Sequence, residues 1–426
     1  MTKIVFGFAA SCLSMMCFSQ KIDKIINVAE VSKIEKKLSS DEMAGRQTFS
    51  PEIDKAADLI AKEFKKNKLQ FFGSSYFQEF SMIKTKPLQS VLILNSDTVA
   101  VDKYYSYSTA AHLSYTSTEG FNIVRIGKGD NYSNTIQSVI TAKKNTLVLI
   151  DTCYAASFKR LTGFLSEARF ASPVQIIFVV TTITNPTGFN LKATNEVSEQ
   201  PLKNVVGILP GSDSKKNEYV IFSGHYDHLG IGNVNAEKDS IYNGANDDAA
   251  GTTAVIMLSR YFSKIKNNER SIIFVAFTAE EIGGFGSQYF SQQLPPDSVV
   301  ALFNIEMIGT ESKWGTNSAY ITGYEKSDMG KILQRNLSDS KFHFEPDPYP
   351  EQNLFYRSDN ATLAALGVPA HTISTSKMDN EKFYHTQDDE IETLDMKNMV
   401  EIIKAIAISS QSIISGKDTP TRVKNN

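Results

Sequence analysis

Short apolar runs alternate with helix-like stretches from about residue 204 onward. The runs lie in EYVIFSGHYDH, SIIFVAFTAEE, ALFNIEMIG, SAYITG and GVPAHTIST. Apolar runs of this length are typical of strands that are buried on both faces of a parallel sheet. Between the first two runs, DDAAGTTAVIMLSRYFSKI predicts a helix, because Ala254, Leu258, Phe262 and Ile265 share one face. The pattern therefore predicts an α/β fold, with a mostly parallel sheet flanked by helices on both faces.

The rest of the chain divides into segments of different composition. Residues 21–90 predict helices and loops, and PEIDKAADLIAKEFKKNKL has apolar residues at helical spacing. Residues 91–200 are rich in Ser, Thr, Tyr and Val, and their strand-like pieces predict a smaller β-rich domain inserted into the larger fold. Residues 201–416 are predicted to form the α/β core, and residues 417–426 a flexible tail.

Residues 1–20 have the layout of a secretory signal peptide. One early lysine precedes an apolar run from Ile4 to Phe18, which is short for a membrane span. A buried N-terminal helix is the alternative, but the segment shows no polar helical face. Removal of the segment would leave Cys153 as the remaining cysteine, so an internal disulfide would be excluded. We expect an exported protein, either periplasmic or extracellular.

Composition narrows the classes of partner. The chain has 426 residues, of which 41% are hydrophobic and 21% charged, and its net charge is -3. These values are ordinary for a folded protein, and no basic excess points to nucleic acid or to an anionic membrane surface. No run after the N-terminus is long enough to span a bilayer.

Polar side chains lie at, or just beyond, the ends of the predicted strands. Ligands of open α/β sheets bind outside the carboxyl ends of the strands, so we expect these side chains to converge. They are His225, Asp227, Asp247, Asp248, Glu280, Glu281, Glu306 and His385.

These residue types are the ones that a catalytic zinc site requires. Two histidines and three carboxylates could bind two metal ions, with one carboxylate bridging them, and neither HExxH nor GxSxG occurs in the chain. Of the adjacent Glu280 and Glu281, one could bind metal while the other takes a proton from water. A solvated helix start is the alternative for this pair, and Asp247 or Asp248 could simply cap the following helix.

The other histidines carry weaker signals. His225 alone could be a loop histidine, but Asp227 two residues later could orient its second nitrogen. His228 has no required role and is interpreted as structural or as part of the rim. His371 lies inside a predicted strand and is interpreted as a core residue. The remaining two, interpreted as surface residues, are His112 and His343.

The motifs HYD, NGANDDAAG, AEE, NIEMIG and YHTQDDE occur in this order between about residues 204 and 395. Together they resemble the zinc aminopeptidase family of the bacterial leucyl aminopeptidases, whose relatives include glutamate carboxypeptidase, glutaminyl cyclases and the transferrin receptor. LSSDEMAGR and YFQEF resemble the longer bacterial members. In those members a protease-associated domain is inserted ahead of the zinc exopeptidase core, and residues 91–200 suit that role.

The resemblance implies a role for each matched residue. Asp247 would bridge two zinc ions, and Glu280 would be the general base. Tyr384 would stabilise the developing oxyanion, and Arg357, in YRSDN, would position the substrate or Tyr384. The other ligands would be His225 and Glu306 at one ion, and Glu281 and His385 at the other.

Two positions depart from the family pattern. Asn360 stands where YRSDN is usually R-S-D-H, and Glu306 stands where the family most often has aspartate. The additional methylene of Glu306 moves the carboxylate outward by about one C–C bond, whereas metal contacts tolerate about ±0.2 Å. A changed metal affinity or preference at that site is the expected consequence.

The leading functional hypothesis is a secreted exopeptidase, an aminopeptidase that acts on peptides. A dipeptidase, a carboxypeptidase or a glutaminyl cyclase on the same fold is the alternative, and a metal-free binding protein is the alternative of another class. The inserted domain could cover the cleft, bind substrate or mediate a homodimer, and the sequence does not choose among these.

Overall fold

The structure is a computed structural model that describes residues 22–424, so the expected signal peptide at residues 1–20 lies outside the described residues. The chain separates into two compact units. The first unit combines Met1–Glu79 with Leu202–Asn426, and the second unit is Phe80–Pro201. The boundary at Phe80 precedes the predicted one at residue 91, because one continuous strand runs from Phe77 to Leu94.

Seventeen strands are defined within the described residues. In chain order they are β1 (Gln70–Phe71), β2 (Phe77–Leu94), β3 (Asp97–Val99), β4 (Tyr104–Tyr107), β5 (His112–Tyr115), β6 (Asn122–Ile126), β7 (Thr146–Ile150), β8 (Ile176–Val180), β9 (Phe189–Leu209), β10 (Tyr219–His225), β11 (Gly230–Ile231), β12 (Ile241–Tyr242), β13 (Ser271–Phe277), β14 (Val299–Ile305), β15 (Ser318–Ile321), β16 (His343–Pro346) and β17 (Ala370–Ser374).

The α-helices from residue 28 onward are numbered in the same way. They are α1 (Val28–Leu38), α2 (Pro51–Lys66), α3 (Tyr132–Thr141), α4 (Ala155–Leu165), α5 (Ala250–Ile265), α6 (Phe285–Ser291), α7 (Met329–Asn336), α8 (Asn360–Ala365), α9 (Met396–Ser409) and α10 (Gln411–Ile414).

The central sheet of the first unit confirms the predicted α/β class. Its strand order is β16-β15-β17-β14-β10-β13-β9. The four central strands β17, β14, β10 and β13 are parallel, whereas β9 and β15 run antiparallel to their inner neighbours. Every residue of β10, β13 and β14 except the first of β10 is buried, which explains why these segments are nearly continuous apolar runs.

Aromatic stacking fixes the centre of this sheet to a helix. The Phe222 ring stacks on Phe274 and Phe303 of the neighbouring strands and on Phe262 of α5, at centroid distances of 4.9–5.7 Å. Such pairs stabilise by about 0.5–1.5 kcal/mol each beyond the burial of area. The last turns of α5 are therefore packed against the middle of β10.

The predicted helix in residues 51–69 is confirmed as α2. The Ser50 hydroxyl caps it by accepting the N–H of Ile53, and Pro51 occupies the first turn. Its apolar residues are buried on one face, as the 3.6-residue period predicts.

The tail prediction was wrong for residues 417–424. Val423 is 4% exposed and packs in an apolar cluster of the first unit. Arg422 donates to the carbonyl of Val299 at 2.9 Å, and Arg270 donates to the carbonyl of Asp418 at 2.7 Å. The polar composition of this segment gave no indication of these hydrogen bonds to main-chain carbonyls.

In the second unit, a four-stranded sheet has the order β4-β8-β7-β6, and β6, β7 and β8 are parallel. Helices α3 and α4 contribute Ile136, Val139, Phe158 and Leu165 to its core. Cys153 is exposed and makes no disulfide within the described residues. No helix in the described part of the chain combines the length and apolarity needed to cross a membrane.

Candidate metal centre

The predicted polar residues meet at one edge of the central sheet. His225 ends β10, Glu280 and Glu281 follow β13, and Glu306 follows β14. Asp247 lies just before α5. A cavity of about 310 Å³ opens here, and its lining includes Asp247, Glu280, Glu281, Glu306, Arg357, Tyr384 and His385. The convergence follows from parallel strands, whose carboxyl ends share one edge.

The Asp247 carboxylate lies between two histidines. Its Oδ1 is 3.1 Å from Nε2 of His225, and its Oδ2 is 3.3 Å from Nε2 of His385. On the same side as His385, the Oε2 atom of Glu281 is 3.2 Å from that nitrogen. Each oxygen of Asp247 therefore faces a different histidine.

These separations suit zinc. Two ligands at 2.0–2.1 Å from one tetrahedral ion lie about 3.3 Å apart. Within residues 22–424, Nε2 of His225, Nε2 of His385 and Oε2 of Glu306 are buried without a hydrogen-bond partner. Buried polar atoms are rarely left in that condition, and a divalent cation would satisfy all three. The residues present fit a metal centre.

The electrostatics of the site also favour a bound cation. Burial, together with the nearby charges of Glu306 and Asp359, raises the pKa of Glu280 well above its usual value. Burial also raises the pKa of Glu306. Burial alone would lower the pKa of His385, but the carboxylates of Asp247 and Glu281 raise it to about 10. A dense buried cluster of carboxylates is costly unless cations compensate it.

Asp227 has a different partner from the predicted one. The carbonyl oxygen of Asp227, rather than its carboxylate, lies 3.0 Å from Nδ1 of His225. The carboxylate accepts the N–H groups of Glu280 and Glu281 at 3.1 and 3.3 Å, and the hydroxyl of Thr48 at 2.9 Å. Asp227 therefore fixes the turn that presents both glutamates.

Asp248 is a main-chain anchor. Its Oδ2 accepts the N–H of His225 at 3.1 Å, and its Oδ1 accepts those of Gly251 and Met307 at 3.0 and 3.1 Å. The predicted helix-capping role is thus filled by Asp248, which joins the start of α5 to the ends of β10 and β14.

Two buried residues that sequence reasoning missed brace the loops. Arg46 is fully buried and donates to the carbonyls of Leu38, Tyr226, Asn243 and Gly244 at 2.6–2.9 Å.

The second brace is Asp389, which accepts the N–H groups of Asn246 and Asp247 at 2.8 and 3.0 Å. The available signals for the two braces were the motifs LSSDEMAGR and YHTQDDE, which contain them.

The rim residues are less constrained. Tyr384 is half-buried, and its ring stacks on His385 with 3.9 Å between centroids. Arg357 is exposed, with Oε1 of Gln352 3.5 Å from its Nη1 atom. Asn360 is buried and donates to the carbonyls of Phe355 and Ala370, so this departure from the family pattern is structural.

The structure also places the other histidines. His371 is confirmed as a core residue, since Nε2 contacts the Ser327 hydroxyl at 2.7 Å and burial lowers its pKa to about 4. His112 and His343 are exposed, as predicted. Of the two interpretations of His228, the structure agrees with the structural one, because His228 is 1% exposed and its Nδ1 lies 2.6 Å from Oε1 of Glu281.

Comparison with known proteins gives the class. Residues 204–409 match the model of peptidase family M28. Aminopeptidase YwaD of Bacillus subtilis is 22% identical over 242 residues, which cover 55% of this chain and 49% of that protein. A probable zinc metalloprotease of Pyrenophora tritici-repentis is 34% identical over 113 residues, covering 26% of this chain and 23% of that protein. The sequence matches thus span half or less of these relatives.

Solved structures share the fold over most of the chain. An aminopeptidase from Aneurinibacillus sp. strain AM-1 has a TM-score of 0.56 and 17% identity, and the match covers 92% of this chain and 95% of that chain. The glutaminyl cyclase of Porphyromonas gingivalis has a TM-score of 0.51 and 10% identity, with coverage of 92% and 99%. At these identities the likeness shows the fold alone.

Proposed function

We propose that the protein is an exported two-zinc exopeptidase, an aminopeptidase that releases N-terminal residues from peptides. The observation that carries the proposal is the Asp247 carboxylate, whose two oxygens face the Nε2 atoms of His225 and His385. Glu281 and Glu306 would complete the two sites, one each.

Zinc polarises carbonyl groups and lowers the pKa of water. Glu280 is the proton carrier in this proposal. Its main chain is fixed by Asp227, and its half-buried side chain lines the cavity. A carboxyl with a raised pKa can take a proton from the attacking water and return it to the leaving amine near neutral pH.

The rim residues bind and orient the substrate. The Tyr384 hydroxyl would donate to the oxyanion that develops on the scissile carbonyl. Arg357, exposed at the cavity, would position the substrate or Tyr384. The acidic cluster would attract the free α-amino group, which favours an aminopeptidase over a carboxypeptidase.

The second unit is proposed to be the inserted protease-associated-like domain, and residues 1–20 a secretion signal. Sequencing the N-terminus of the protein recovered from the periplasm or medium tests export. A mature chain that begins near residue 21 supports the proposal, and a retained Met1 contradicts it.

Hydrolysis of aminoacyl-4-nitroanilides by zinc-loaded protein tests the function. Glu280→Gln should lower kcat by about 10²–10⁴-fold while both zinc ions remain bound, because general acid–base transfer contributes that much. Glu311→Gln is the matched control, since Glu311 is an exposed glutamate paired with Lys377 at 2.8 Å. Full activity in Glu280→Gln would overturn the assigned role.

Zinc counting on the same sample separates the alternatives. Two tight ions with nitroanilide hydrolysis support an aminopeptidase. A single ion with cyclisation of N-terminal glutamine would instead support a glutaminyl cyclase, whose fold the chain shares with the Porphyromonas protein.

A further inference from the structure

His228 is a buried histidine to which neither the family resemblance nor the proposed reaction gives a role. It lies three residues after His225 and is 1% exposed. Its Nδ1 atom is 2.6 Å from Oε1 of Glu281 and 4.0 Å from Oδ2 of Asp247. Nε2 of His228 is buried and has no hydrogen-bond partner in the described part of the chain.

The distances distinguish a hydrogen bond from shared metal binding. Two ligand atoms on one tetrahedral zinc lie about 3.3 Å apart, because each bond is about 2.0–2.1 Å. The separation of 2.6 Å is too short for that arrangement and is typical of a charge-assisted hydrogen bond. A carboxylate only accepts, so Nδ1 of His228 is the donor.

This hydrogen bond gives the two carboxylate oxygens of Glu281 different partners. Oε1 accepts from His228, which leaves Oε2 directed at Nε2 of His385, 3.2 Å away. A glutamate side chain has three rotatable bonds, and an ordered donor on one oxygen removes most of that freedom. The carboxylate is thereby prepared to bind an ion through a single oxygen.

The position of the imidazole is itself enforced. The main-chain N–H of His228 donates to the carbonyl of Arg46 at 3.2 Å. On the other side, a Cβ at Gly244 would lie 2.5 Å from Cδ2 of His228, and Gly244 has a φ of +55°. Only glycine leaves room for the ring there.

We propose that His228 is a positioning residue that holds Glu281 in the single-oxygen orientation required by the zinc ion shared with His385. The proposal rests on the two-zinc site proposed above. His228 then raises the affinity of one ion and leaves the ion at His225 and Glu306 nearly unchanged. Outer hydrogen bonds to metal ligands change metal affinity by about 10–100-fold.

Two substitutions distinguish the effect of losing the hydrogen-bond donor from the effect of losing the imidazole ring. In His228→Asn the amide nitrogen is as many bonds from Cα as Nδ1, so the donor to Glu281 is kept. In His228→Gln the amide nitrogen corresponds to Nε2, so that donor is lost. His343→Gln, at an exposed histidine, is the control.

Competition with a zinc chelator at increasing concentrations, followed by metal analysis, measures the affinity of the protein for each ion. We expect His228→Gln to weaken one of two ions by about 10–100-fold. We expect His228→Asn and His343→Gln to retain both ions within about threefold of the wild type. Thermal unfolding of the zinc-free proteins should be the same for the Asn and Gln variants, because the role concerns the metal ligand.

A double-mutant cycle supplies the second measurement. If His228 acts through Glu281, His228→Gln should add little to the zinc loss of Glu281→Gln. Additive losses, equal weakening of both ions, or equal loss in the Asn and Gln variants would overturn the proposal. A wild-type protein that binds no zinc would instead overturn the proposed function.

Discussion

Both units of the molecule contain parallel strands with a buried interior, yet their strand ends differ. In the second unit, the half-buried Asp151 follows β7, and its carboxylate accepts the N–H of Cys153 at 2.9 Å. In the first unit, Glu306 follows β14, and its Oε2 is buried with no hydrogen-bond partner among residues 22–424. Parallel topology provides the edge in both units, but among the described residues the buried carboxylate and imidazole atoms without partners all lie in the first unit.

The two units also use a buried arginine differently. In the second unit, Arg169 donates to the carbonyls of Leu165 and Ser108 at 2.8 and 2.6 Å and thereby joins a helix end to a strand end. In the first unit, the carbonyls of Tyr226 and Gly244 that Arg46 binds flank the candidate ligands. The same chemistry stabilises the fold in one unit and positions the candidate ligands in the other.

Arg46→Met has the largest expected effect. Its removal leaves four buried carbonyls without this donor, and we expect a loss of about 3–5 kcal/mol in the free energy of unfolding, together with weaker zinc binding. Arg169→Met is the matched variant, which should destabilise the second unit and leave zinc affinity unchanged. Denaturant unfolding and zinc competition measure both quantities. Equal effects of the two variants on zinc would contradict the distinction between the units.

Glu306→Ala comes next. We expect the zinc ion at His225 to bind about 100-fold more weakly, because loss of a ligand exceeds the effect of most outer partners. Glu306→Asp restores the residue usual in the family and should bind at least as well as the wild type. Asp151→Ala in the second unit should change nothing measurable in zinc affinity. If Glu306→Ala retains both ions at wild-type affinity, Glu306 is not a ligand.

Glu35→Gln has the smallest expected effect and concerns pH. Burial raises the pKa of Glu35 to about 8 in the folded protein, above its unfolded value of 4.5. The folded state therefore holds a proton that the unfolded state releases, and wild-type stability falls as the pH rises from about 4.5 to 8. Between pH 6 and pH 7, the stability of the variant relative to the wild type should increase by about 1.4 kcal/mol. Parallel stability curves over this range would contradict the raised pKa.

The local patterns of the sequence predicted much of the fold. Apolar runs marked β10, β13 and β14, since a strand buried on both faces needs few polar residues. The polar residues at their ends marked the edge, because successive parallel strands end on the same side. The sequence alone thus predicted that Asp247, Glu281 and His385 lie together.

What the sequence did not predict depends on contacts between distant positions. Arg46 and Tyr226 are 180 positions apart, and no local period connects them. His228 carried no motif of its own, and the role proposed for it depends on its contact with Glu281, 53 positions away. The tail was misjudged because its polar residues bond to main-chain groups, which composition does not reveal.

The central claim is that Asp247 joins two zinc ions at the strand ends of the first unit. Metal analysis of zinc-loaded wild type and Asp247→Asn after gel filtration tests it most directly. We predict two zinc ions per wild-type chain, and fewer than two in the variant, because each carboxylate oxygen faces a separate histidine. One or no ion in the wild type, or two retained by Asp247→Asn, would contradict the claim.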